Sequence, residues 1–334
     1  MFSVATMKAP RISIAMTTYN AGPWLADQLA SFTAQDRLPD ELVICDDGST
    51  DGTIAALERF KGDAPFEVKL ELNRENLTTT PNFEKAVSLC RGEFILLADQ
   101  DDVWHANKIR KLVDELEANP AAGAVFSNGR VVNEALEPLG YDLWDSLWFH
   151  PRERAQVRDG RAAEVFVKHV VAAGTTLAFR SRYRDVYLPF PDLHDCHDAW
   201  LVFSIAGVAE IRILEENLIE YRLHGANQFG LQRFNLREQL GKAREQLTIG
   251  AFEHNVKFFR AARERFRAVA DKGFDLRPSV VDLTEGKIRH ASLRDQMSSG
   301  FFARLPAIAR EVLNRGYWRF GYGSKSVAQD LFLR

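Results

Sequence analysis

The sequence predicts an α/β protein with a mostly parallel central sheet flanked by helices, followed by a C-terminal helical appendage. Short apolar, strand-like runs alternate with helix-like patterns between residues 11 and 127, and residues 231–334 carry the spacing of amphipathic helices. Strands that alternate with helices favour a parallel sheet with right-handed crossovers. In such sheets, ligands bind at the carboxyl ends of the strands.

The individual elements follow from local patterns. Apolar runs predict strands at residues 12–16, 41–46, 66–72, 93–98 and 124–127. Helical spacing predicts helices at residues 22–32, 53–60, 80–90, 105–119 and 199–206. Pro23 falls near the first turn of the first helix, and Thr80 and Asn82 are candidate caps of the third.

Composition and charge narrow the class of protein. Of the 334 residues, 46% are hydrophobic and 27% are charged, which is ordinary for a globular protein. The formal net charge of −3 argues against a general nucleic-acid binder. Cys45, Cys90 and Cys196 predict reduced thiols and a reducing compartment. Because no apolar run reaches about 18 residues and residues 1–9 do not read as a signal peptide, we expect a cytoplasmic protein.

Polar residues cluster where three predicted strands end. Residues 17–20 (TTYN) follow the first strand, residues 46–50 (DDGST) the second and residues 99–102 (DQDD) the fourth. Any one cluster alone reads as a turn or a helix cap. Three clusters at the same edge of a parallel sheet predict a binding crevice.

The second cluster also matches part of an EF-hand calcium loop. Asp47, Ser49, Asp51, Gly52 and Glu58 fall at the required spacing. A helix precedes an EF-hand loop, whereas a strand-like run precedes this one, and Glu58 lies inside a predicted helix. We therefore do not expect calcium binding here.

The third cluster indicates a divalent metal. Neighbouring carboxylates repel one another unless a cation or hydrogen-bond donors compensate. Oxygen ligands favour Mg²⁺ or Mn²⁺, and an ion held by one or two carboxylates usually completes its shell with water and substrate phosphates. The alternative is a helix N-terminus decorated with acids.

These motifs together resemble family two of the glycosyltransferases, on the GT-A fold. The strings are TTYN, DDGSTDGT and GEFILLADQDDVW, followed by HDAW (residues 197–200) and YRLHGANQ (residues 221–228). The string DQDDVW resembles in particular the bacterial rhamnosyltransferase-like members. The resemblance covers roughly residues 11–230. One departure is the segment 76–86, which lacks the family's glycine and arginine-asparagine pair and matches only at Asn82.

The resemblance implies a domain division and site residues. Residues 1–230 would form the catalytic domain, with a nucleotide-binding half at about 11–125 and an acceptor-binding half at about 126–230, and residues 231–334 a helical extension. Asp47 would accept a hydrogen bond from N3–H of a pyrimidine base, Asp101 and His224 would bind Mn²⁺ or Mg²⁺, and Asp198 would be the catalytic base. The other nucleotide-binding candidates are Thr17, Tyr19, Asn20, Asn82 and Asp99. The acceptor-binding candidates are His197 and Trp200, and Asp195 and His197 compete for the role of base.

The implied activity is inverting transfer of a sugar from a dTDP- or UDP-sugar, such as dTDP-rhamnose, to a glycan hydroxyl, in bacterial surface polysaccharide synthesis. Two other classes remain open. A sugar-phosphate nucleotidyltransferase should show a glycine-rich, arginine-bearing loop after its first strand, and TTYNAG is not one. A non-catalytic carbohydrate-binding protein would need neither DQDD nor Asp198.

The C-terminal region leaves two interpretations open. A helix at residues 255–272 places Phe259, Ala262, Phe266 and Val269 on one face, and residues 301–334 mix aromatic and basic residues. Such a segment can lie on an anionic bilayer, here the inner membrane, which would suit a lipid-linked glycan acceptor. It can equally pack on the catalytic domain with its basic face in water.

Overall fold

The computed structural model describes residues 11–333 except 195, 226–240, 242–249 and 299. Nine strands of this described part form one sheet. They are β1 Ile12–Thr18, β2 Glu41–Asp46, β3 Glu67–Leu72, β4 Phe94–Ala98, β5 Val103–Trp104, β6 Ala122–Val132, β7 Pro138–Asp142, β8 Leu177–Arg180 and β9 Glu210–Arg222. The five predicted strands are β1–β4 and β6.

Helices cover the sheet and make up the C-terminal region. Up to β9 they are α1 Leu25–Thr33, α2 Thr53–Asp63, α3 Thr79–Leu89, α4 Lys108–Ala118, α5 Leu143–Ser146, α6 Pro151–Arg158, α7 Ala162–Phe166, α8 Arg184–Tyr187 and α9 His197–Ala206. After β9 they are α10 Ala251–Asp271, α11 Pro278–Asp295, α12 Phe301–Leu313, α13 Gly316–Phe320 and α14 Ser324–Phe332. Thr78 occupies the cap position of α3, so Thr80 and Asn82 lie inside this helix.

The sheet is mostly parallel in strand direction, as predicted, but its second half is mixed. The strand order is β3-β2-β1-β4-β8-β6-β9-β5, with β7 paired to β6. Strands β1 to β4 are mutually parallel, and β6 and β9 point the same way. Strand β8 runs antiparallel between β4 and β6 because the chain returns from β6 through short helices instead of a full crossover. The carboxyl ends of β1, β2, β4, β6 and β9 therefore share one edge.

The first of the C-terminal helices, α10, packs against α9, one of the helices that cover the sheet. The ring of Phe203 on α9 contacts Phe258, Phe259 and Phe266 of α10. The predicted apolar face of this helix is buried, so packing is the correct interpretation for residues 251–271. A second small core around Met297, Ile308 and Tyr317 holds α12–α14 together. The predicted domain boundary near residue 230 lies outside the described residues.

The three cysteines are buried, and none of them forms a disulfide. Burial raises the pKa of Cys45 to about 12, which makes this thiol unreactive. Of the helices in the described ranges, none has both the length and the apolar character needed to cross a membrane.

Candidate active site

The three polar clusters meet at one edge of the sheet. Thr18 at the end of β1 is level with Asp46 at the end of β2, and Met16 is level with Ala98 at the end of β4. The residues that follow these strands enclose a cavity of about 470 Å³. It is lined by Thr17, Thr18, Tyr19, Asp47, Asn76, Thr78, Thr79, Asn82, Asp99, Gln100, Asp101, Leu147, Val170, Ala172, Ala173, Gly174, His197, Asp198 and Tyr221. The structure thus brings together eight of the eleven candidate site residues.

Asp46 and Asn20 hold the two first loops together. The buried carboxylate of Asp46 accepts hydrogen bonds from the Thr18 hydroxyl (2.7 Å) and from the hydroxyl and backbone N–H of Ser49 (2.6 and 2.8 Å). The Asn20 side-chain oxygen accepts the Thr50 N–H (2.9 Å), and Asn20 has a positive φ of 45°. Asn20 is not among the residues that line the cavity, and its hydrogen bonds fix this loop, so its contact with the nucleotide stays a prediction.

Asp51 caps α2 and does not form a calcium loop. Its carboxylate accepts the backbone N–H groups of Gly22 and Thr53 (3.3 and 2.9 Å). A strand precedes the motif, and Glu58 lies within α2. The EF-hand match is therefore coincidental, as expected from the sequence.

Tyr19 is oriented by a residue that the sequence reasoning did not single out. The Gln100 side chain accepts the Tyr19 backbone N–H (2.8 Å) and donates to the Tyr19 carbonyl oxygen (3.2 Å). Gln100 is part of DQDD, so this amide couples the end of β1 to the end of β4. The Tyr19 side chain itself is half exposed beside the cavity.

Asp47 and Asn82 position the segment after β3. Asp47 accepts hydrogen bonds from the side chain of Asn73 (2.9 Å) and from the backbone N–H groups of Leu77 and Thr78 (2.7 and 2.9 Å). Asn82 donates to the Cys45 carbonyl (3.0 Å) and accepts from Asn73 (2.9 Å). Both side chains border the cavity. One oxygen of Asp47 accepts a single hydrogen bond and retains capacity for another, whereas the amide of Asn82 is engaged at both ends.

The acidic cluster is electrostatically unfavourable without a cation. Burial raises the pKa of Asp99 well above its ordinary value, and the neighbouring Asp102, Asp101 and Asp198 add to this. Burial, followed by the charge of Asp101, raises the pKa of Asp102 to about 7. Carboxylates with such raised pKa values indicate a site that binds a cation or performs acid–base chemistry.

Lys108 is a buried cation close to Asp99 and Asp102, and the sequence reasoning missed it. Its ammonium group donates to the Thr175 carbonyl and lies 3.5 Å from the centre of the Trp104 ring. Burial lowers the pKa of Lys108 well below its ordinary value, although Asp102 and Asp99 oppose this shift. Lys108 alone therefore compensates the acidic cluster poorly.

Asp101 and His224 converge at the mouth of the acidic cluster. Nε2 of His224 lies 2.9 Å from Oδ2 of Asp101, and the imidazole stacks on the Trp24 ring at 3.6 Å and 17°. The His224 side chain is 2% exposed, so its orientation is fixed. Two adjacent ligands of an octahedral ion at about 2.1 Å would lie about 3 Å apart, so this donor pair fits Mg²⁺ or Mn²⁺. Within the described ranges, no group of three or more His, Cys, Asp or Glu side chains forms a fuller metal site.

Arg222 locks the acidic loop in place. Its side chain is 3% exposed and donates to the carbonyl oxygens of Asp101 (2.9 Å) and Glu134 (2.6 Å) and to the carboxylate of Asp27 (2.7 Å). Its backbone N–H donates to Asp102 (3.1 Å). The end of β9 therefore fixes both the backbone of Asp101 and, two residues later, His224.

The start of α9 delivers Asp198 and His197 to the opposite wall of the cavity. The His197 ring stacks on Phe83 at 4.3 Å and 14°. A side chain at Gly174 would come within 3.1 Å of Nε2 of His197, so glycine lets this wall approach the helix. Asp198 lies in the first turn of the helix and borders the cavity, and one of its oxygens accepts the Ala199 N–H (2.6 Å). Asp195 lies outside the described residues.

Trp200 does not face the cavity, so its predicted stacking on an acceptor sugar is wrong. Its side chain is buried, and the indole N–H donates to the Tyr187 carbonyl (2.8 Å). The ring packs edge-on against Phe258 and lies under the Arg265 guanidinium. Residues two apart on a helix point to nearly opposite sides, so Asp198 and Trp200 do not share a face.

The sequence is similar to glycosyltransferases. The family model of glycosyl transferase family 2 matches residues 13–180, half of the chain. A dTDP-rhamnosyl transferase of Shigella flexneri is 33% identical over 111 residues, which cover 32% of this chain and 38% of that protein. The chain spans 66% of the length of one curated relative and 36% of another.

Two solved structures share the fold. S. aureus TarS 1–349 in complex with UDP-GlcNAc has a TM-score of 0.54 at 16% identity, with 92% of each chain covered. A mannosyltransferase of Pyrobaculum calidifontis in complex with GDP-Man and Mn²⁺ has a TM-score of 0.53 at 18% identity, with 92% of this chain and 76% of that chain covered. The described architecture is thus that of GT-A glycosyltransferases, and the chain belongs to glycosyl transferase family 2.

Proposed function

We propose that this glycosyltransferase is an inverting, metal-dependent enzyme that transfers a sugar from a dTDP- or UDP-sugar to a glycan hydroxyl. The cavity carries this proposal, because the metal-binding candidate Asp101 and the candidate base Asp198 line one 470 Å³ space, and His224 contacts Asp101 at 2.9 Å. The matched Shigella protein acts with dTDP-rhamnose by name, which favours that donor. A bacterial surface polysaccharide is the acceptor we propose, in line with such relatives.

The base is Asp198. In an inverting transfer, the acceptor hydroxyl attacks the anomeric carbon on the face opposite the departing diphosphate, and a carboxylate takes the hydroxyl proton. Asp198 borders the cavity on the wall opposite the ends of β1 and β2, where the nucleotide would lie. Only one of its oxygens is engaged, by the Ala199 N–H, which leaves the other to accept the proton. His197, fixed against Phe83, would orient the acceptor.

Asp101 and His224 would hold the metal ion. When bound, a Mn²⁺ or Mg²⁺ ion would neutralise charge that develops on the diphosphate leaving group. Arg222 holds the backbone of Asp101, and the Trp24 ring holds His224. Asp99 would bind the ribose or support the metal ligands from behind. The solved mannosyltransferase that shares the fold contains Mn²⁺, which supports a divalent ion in general.

The nucleotide base would lie between Thr17, Tyr19 and Asp47. Asp47 retains one acceptor position that suits the N3–H of uracil or thymine, and a carboxylate there disfavours bases without that donor. The engaged amide of Asn82 leaves it to position Asp47 through Asn73. The backbone N–H groups near Leu77 are already bound to Asp47, so the diphosphate would depend more on the metal than on this segment.

Product analysis tests the reaction class. The protein would be incubated with dTDP-rhamnose, UDP-sugars and GDP-mannose, each with Mn²⁺ or with EDTA. Release of nucleoside diphosphate that requires the metal is the expected result. Pyrophosphate chemistry would instead identify a nucleotidyltransferase, and binding without turnover of any donor would identify a carbohydrate-binding protein.

Residues 300–333 are the part of the chain that we propose to touch an anionic bilayer. Phe302 and Leu313 of α12 are 82% and 83% exposed. Both carboxylates of this segment point inward, Glu311 to His290 and Asp330 to Arg294. Its exposed charges are therefore all basic, at Arg310, Arg315, Arg319 and Lys325. Such a surface suits an enzyme whose acceptor is a lipid-linked glycan.

Vesicle co-sedimentation tests this contact. The variant Phe302→Ser with Leu313→Ser should lose binding to phosphatidylglycerol-containing vesicles. The control Leu136→Ser with Leu139→Ser changes two exposed apolar residues of another surface and should leave binding unchanged. If the two double variants bind the vesicles equally well, residues 300–333 do not contact the bilayer. If Phe302→Ser with Leu313→Ser instead loses self-association in sedimentation velocity, a second copy of the chain covers this surface.

A further inference from the structure

A second cavity lies between the catalytic domain and the C-terminal helices. It has a volume of about 750 Å³ and opens between α6 and α7 on one side and α11 and α13 on the other. We name it the arginine cavity. Its lining includes Arg152, Lys168, Arg315, Trp318 and Arg319. None of these residues belongs to the site described above.

The charges in the arginine cavity are unevenly compensated. Two of its carboxylates are already paired: Glu153 with His169 (3.2 Å) and with Lys168 of the cavity itself (4.0 Å), and Glu164 with Arg161 (3.5 Å). Asp282 is the third lining carboxylate. Within the described ranges, Arg152, Arg315 and Arg319 form no ion pair with a carboxylate, although all three line the same space. Like charges that converge without partners are unfavourable unless an anion is bound between them.

The arginine cavity shares two walls with the active-site cavity. Lys168 borders the arginine cavity and Val170 borders the active-site cavity, so roughly 7 Å of chain separates them. A second shared wall lies at residues 147–150, where His150 borders the arginine cavity and Leu147 borders the active-site cavity. The Tyr322 ring contacts His169 within the first wall and Trp148 within the second, which ties the C-terminal helices to both. The two cavities are therefore neighbours, separated by single segments of chain that also contact the C-terminal helices.

We propose that the arginine cavity binds a phosphate or diphosphate group of the acceptor. This inference rests on the proposed glycosyl transfer, because it assigns the chemistry of the acceptor. Guanidinium groups bind phosphate oxygens through paired, charge-assisted hydrogen bonds, and three of them from two sides of a cavity suit a multiply charged anion better than a neutral sugar. The C-terminal helices thereby complete an acceptor site that the catalytic domain supplies only in part.

Calorimetry with inorganic pyrophosphate tests the site directly. Titrations would use the full chain in EDTA at constant ionic strength, so that the metal-dependent donor site is silent. The double variant Arg315→Gln with Arg319→Gln should weaken pyrophosphate binding by at least about tenfold, since each charge-assisted bond is strong. Arg152→Gln, on the opposite side of the cavity, should weaken it in the same direction. The control Arg59→Gln changes an exposed arginine of α2 that lines neither cavity and should bind as wild type does.

The other outcomes would overturn the proposal. Wild-type protein that binds no pyrophosphate, or arginine variants that bind it like Arg59→Gln, would remove the anion site. Pyrophosphate binding that appears only with Mn²⁺ and is lost in Asp101→Asn, but not in the arginine variants, would place the anion in the donor site. Arginine variants that lose only binding to phosphatidylglycerol vesicles would assign these side chains to a bilayer. A failure of the proposed glycosyl transfer itself can be distinguished from these outcomes, because wild-type protein would then release no nucleoside diphosphate from any donor.

Discussion

Replacing Arg222 by methionine should destabilise the protein far more than replacing an exposed arginine. The guanidinium is 3% exposed and supplies donors to the carbonyl oxygens of Asp101 and Glu134. Methionine keeps most of the apolar stem but leaves both carbonyls without these donors, at about 1–3 kcal/mol each. We expect the free energy of unfolding to fall by about 4 kcal/mol, which corresponds to about 6 °C in melting temperature for a chain of this size.

The matched control is Arg130→Met on the neighbouring strand β6. Arg130 pairs with Glu220 at 3.3 Å but is 44% exposed, so this ion pair should contribute less than about 1 kcal/mol. Differential scanning fluorimetry compares both variants with wild type, and calorimetry then measures Mn²⁺-dependent donor binding, which should weaken only in Arg222→Met. If Arg222→Met melts within a degree of Arg130→Met, the buried network does not hold the acidic loop.

Three further predictions concern the metal, the nucleotide and a buried lysine. Asp101→Asn should lose metal-dependent donor binding yet change the free energy of unfolding by less than about 1 kcal/mol, because it loses the His224 contact but relieves repulsion; unchanged calorimetric affinity would remove Asp101 from the metal site. With Mn²⁺, UDP or dTDP should stabilise the protein more than GDP does, by about 2.7 kcal/mol at 100 times the dissociation constant, and equal thermal shifts with GDP would refute the pyrimidine pocket. Burial lowers the pKa of Lys287 to about 7, so the folded state binds fewer protons than the unfolded state between pH 7 and 10.5, and stability should rise with pH across that window. At pH 7, the free energy of unfolding of Lys287→Met should therefore exceed that of wild type by about 5 kcal/mol, before the lost hydrogen bond to the Phe320 carbonyl is subtracted. This advantage should vanish near pH 10. A difference that does not change with pH would contradict the shifted pKa of Lys287.

Local patterns were sufficient to predict five of the nine described strands, β1–β4 and β6, and the polar edge of the sheet. Strand β2 occupies residues 41–46, as predicted, because its apolar run is bounded by polar residues on both sides. The clusters TTYN, DDGST and DQDD meet because parallel strands end at one edge. Helical geometry could also have excluded Trp200, which lies two residues after Asp198 and so points away from the cavity.

Contacts between distant segments could not be predicted. Arg222 meets Asp101 across 121 residues, and Lys108 meets Thr175 across 67 residues. Periodicity shows that such a residue lies on a strand or helix, but the partner depends on how β8 and β9 enter the sheet. Asn20 likewise follows β1 as a polar residue, but the sequence does not show that its left-handed backbone turns it toward the Thr50 N–H.

The turnover of Asp198→Asn tests the proposed catalytic mechanism most directly. Steady-state release of nucleoside diphosphate would be measured for wild type and variant, with donor and metal affinities measured by calorimetry on the same samples. Because asparagine can still accept the Ala199 N–H but cannot take the hydroxyl proton, turnover should fall by about 10²–10⁴-fold, or about 3–5.5 kcal/mol of barrier, with binding retained. A variant that keeps more than about a tenth of wild-type turnover would show that Asp198 is not the base, and Asp195 would be tested next.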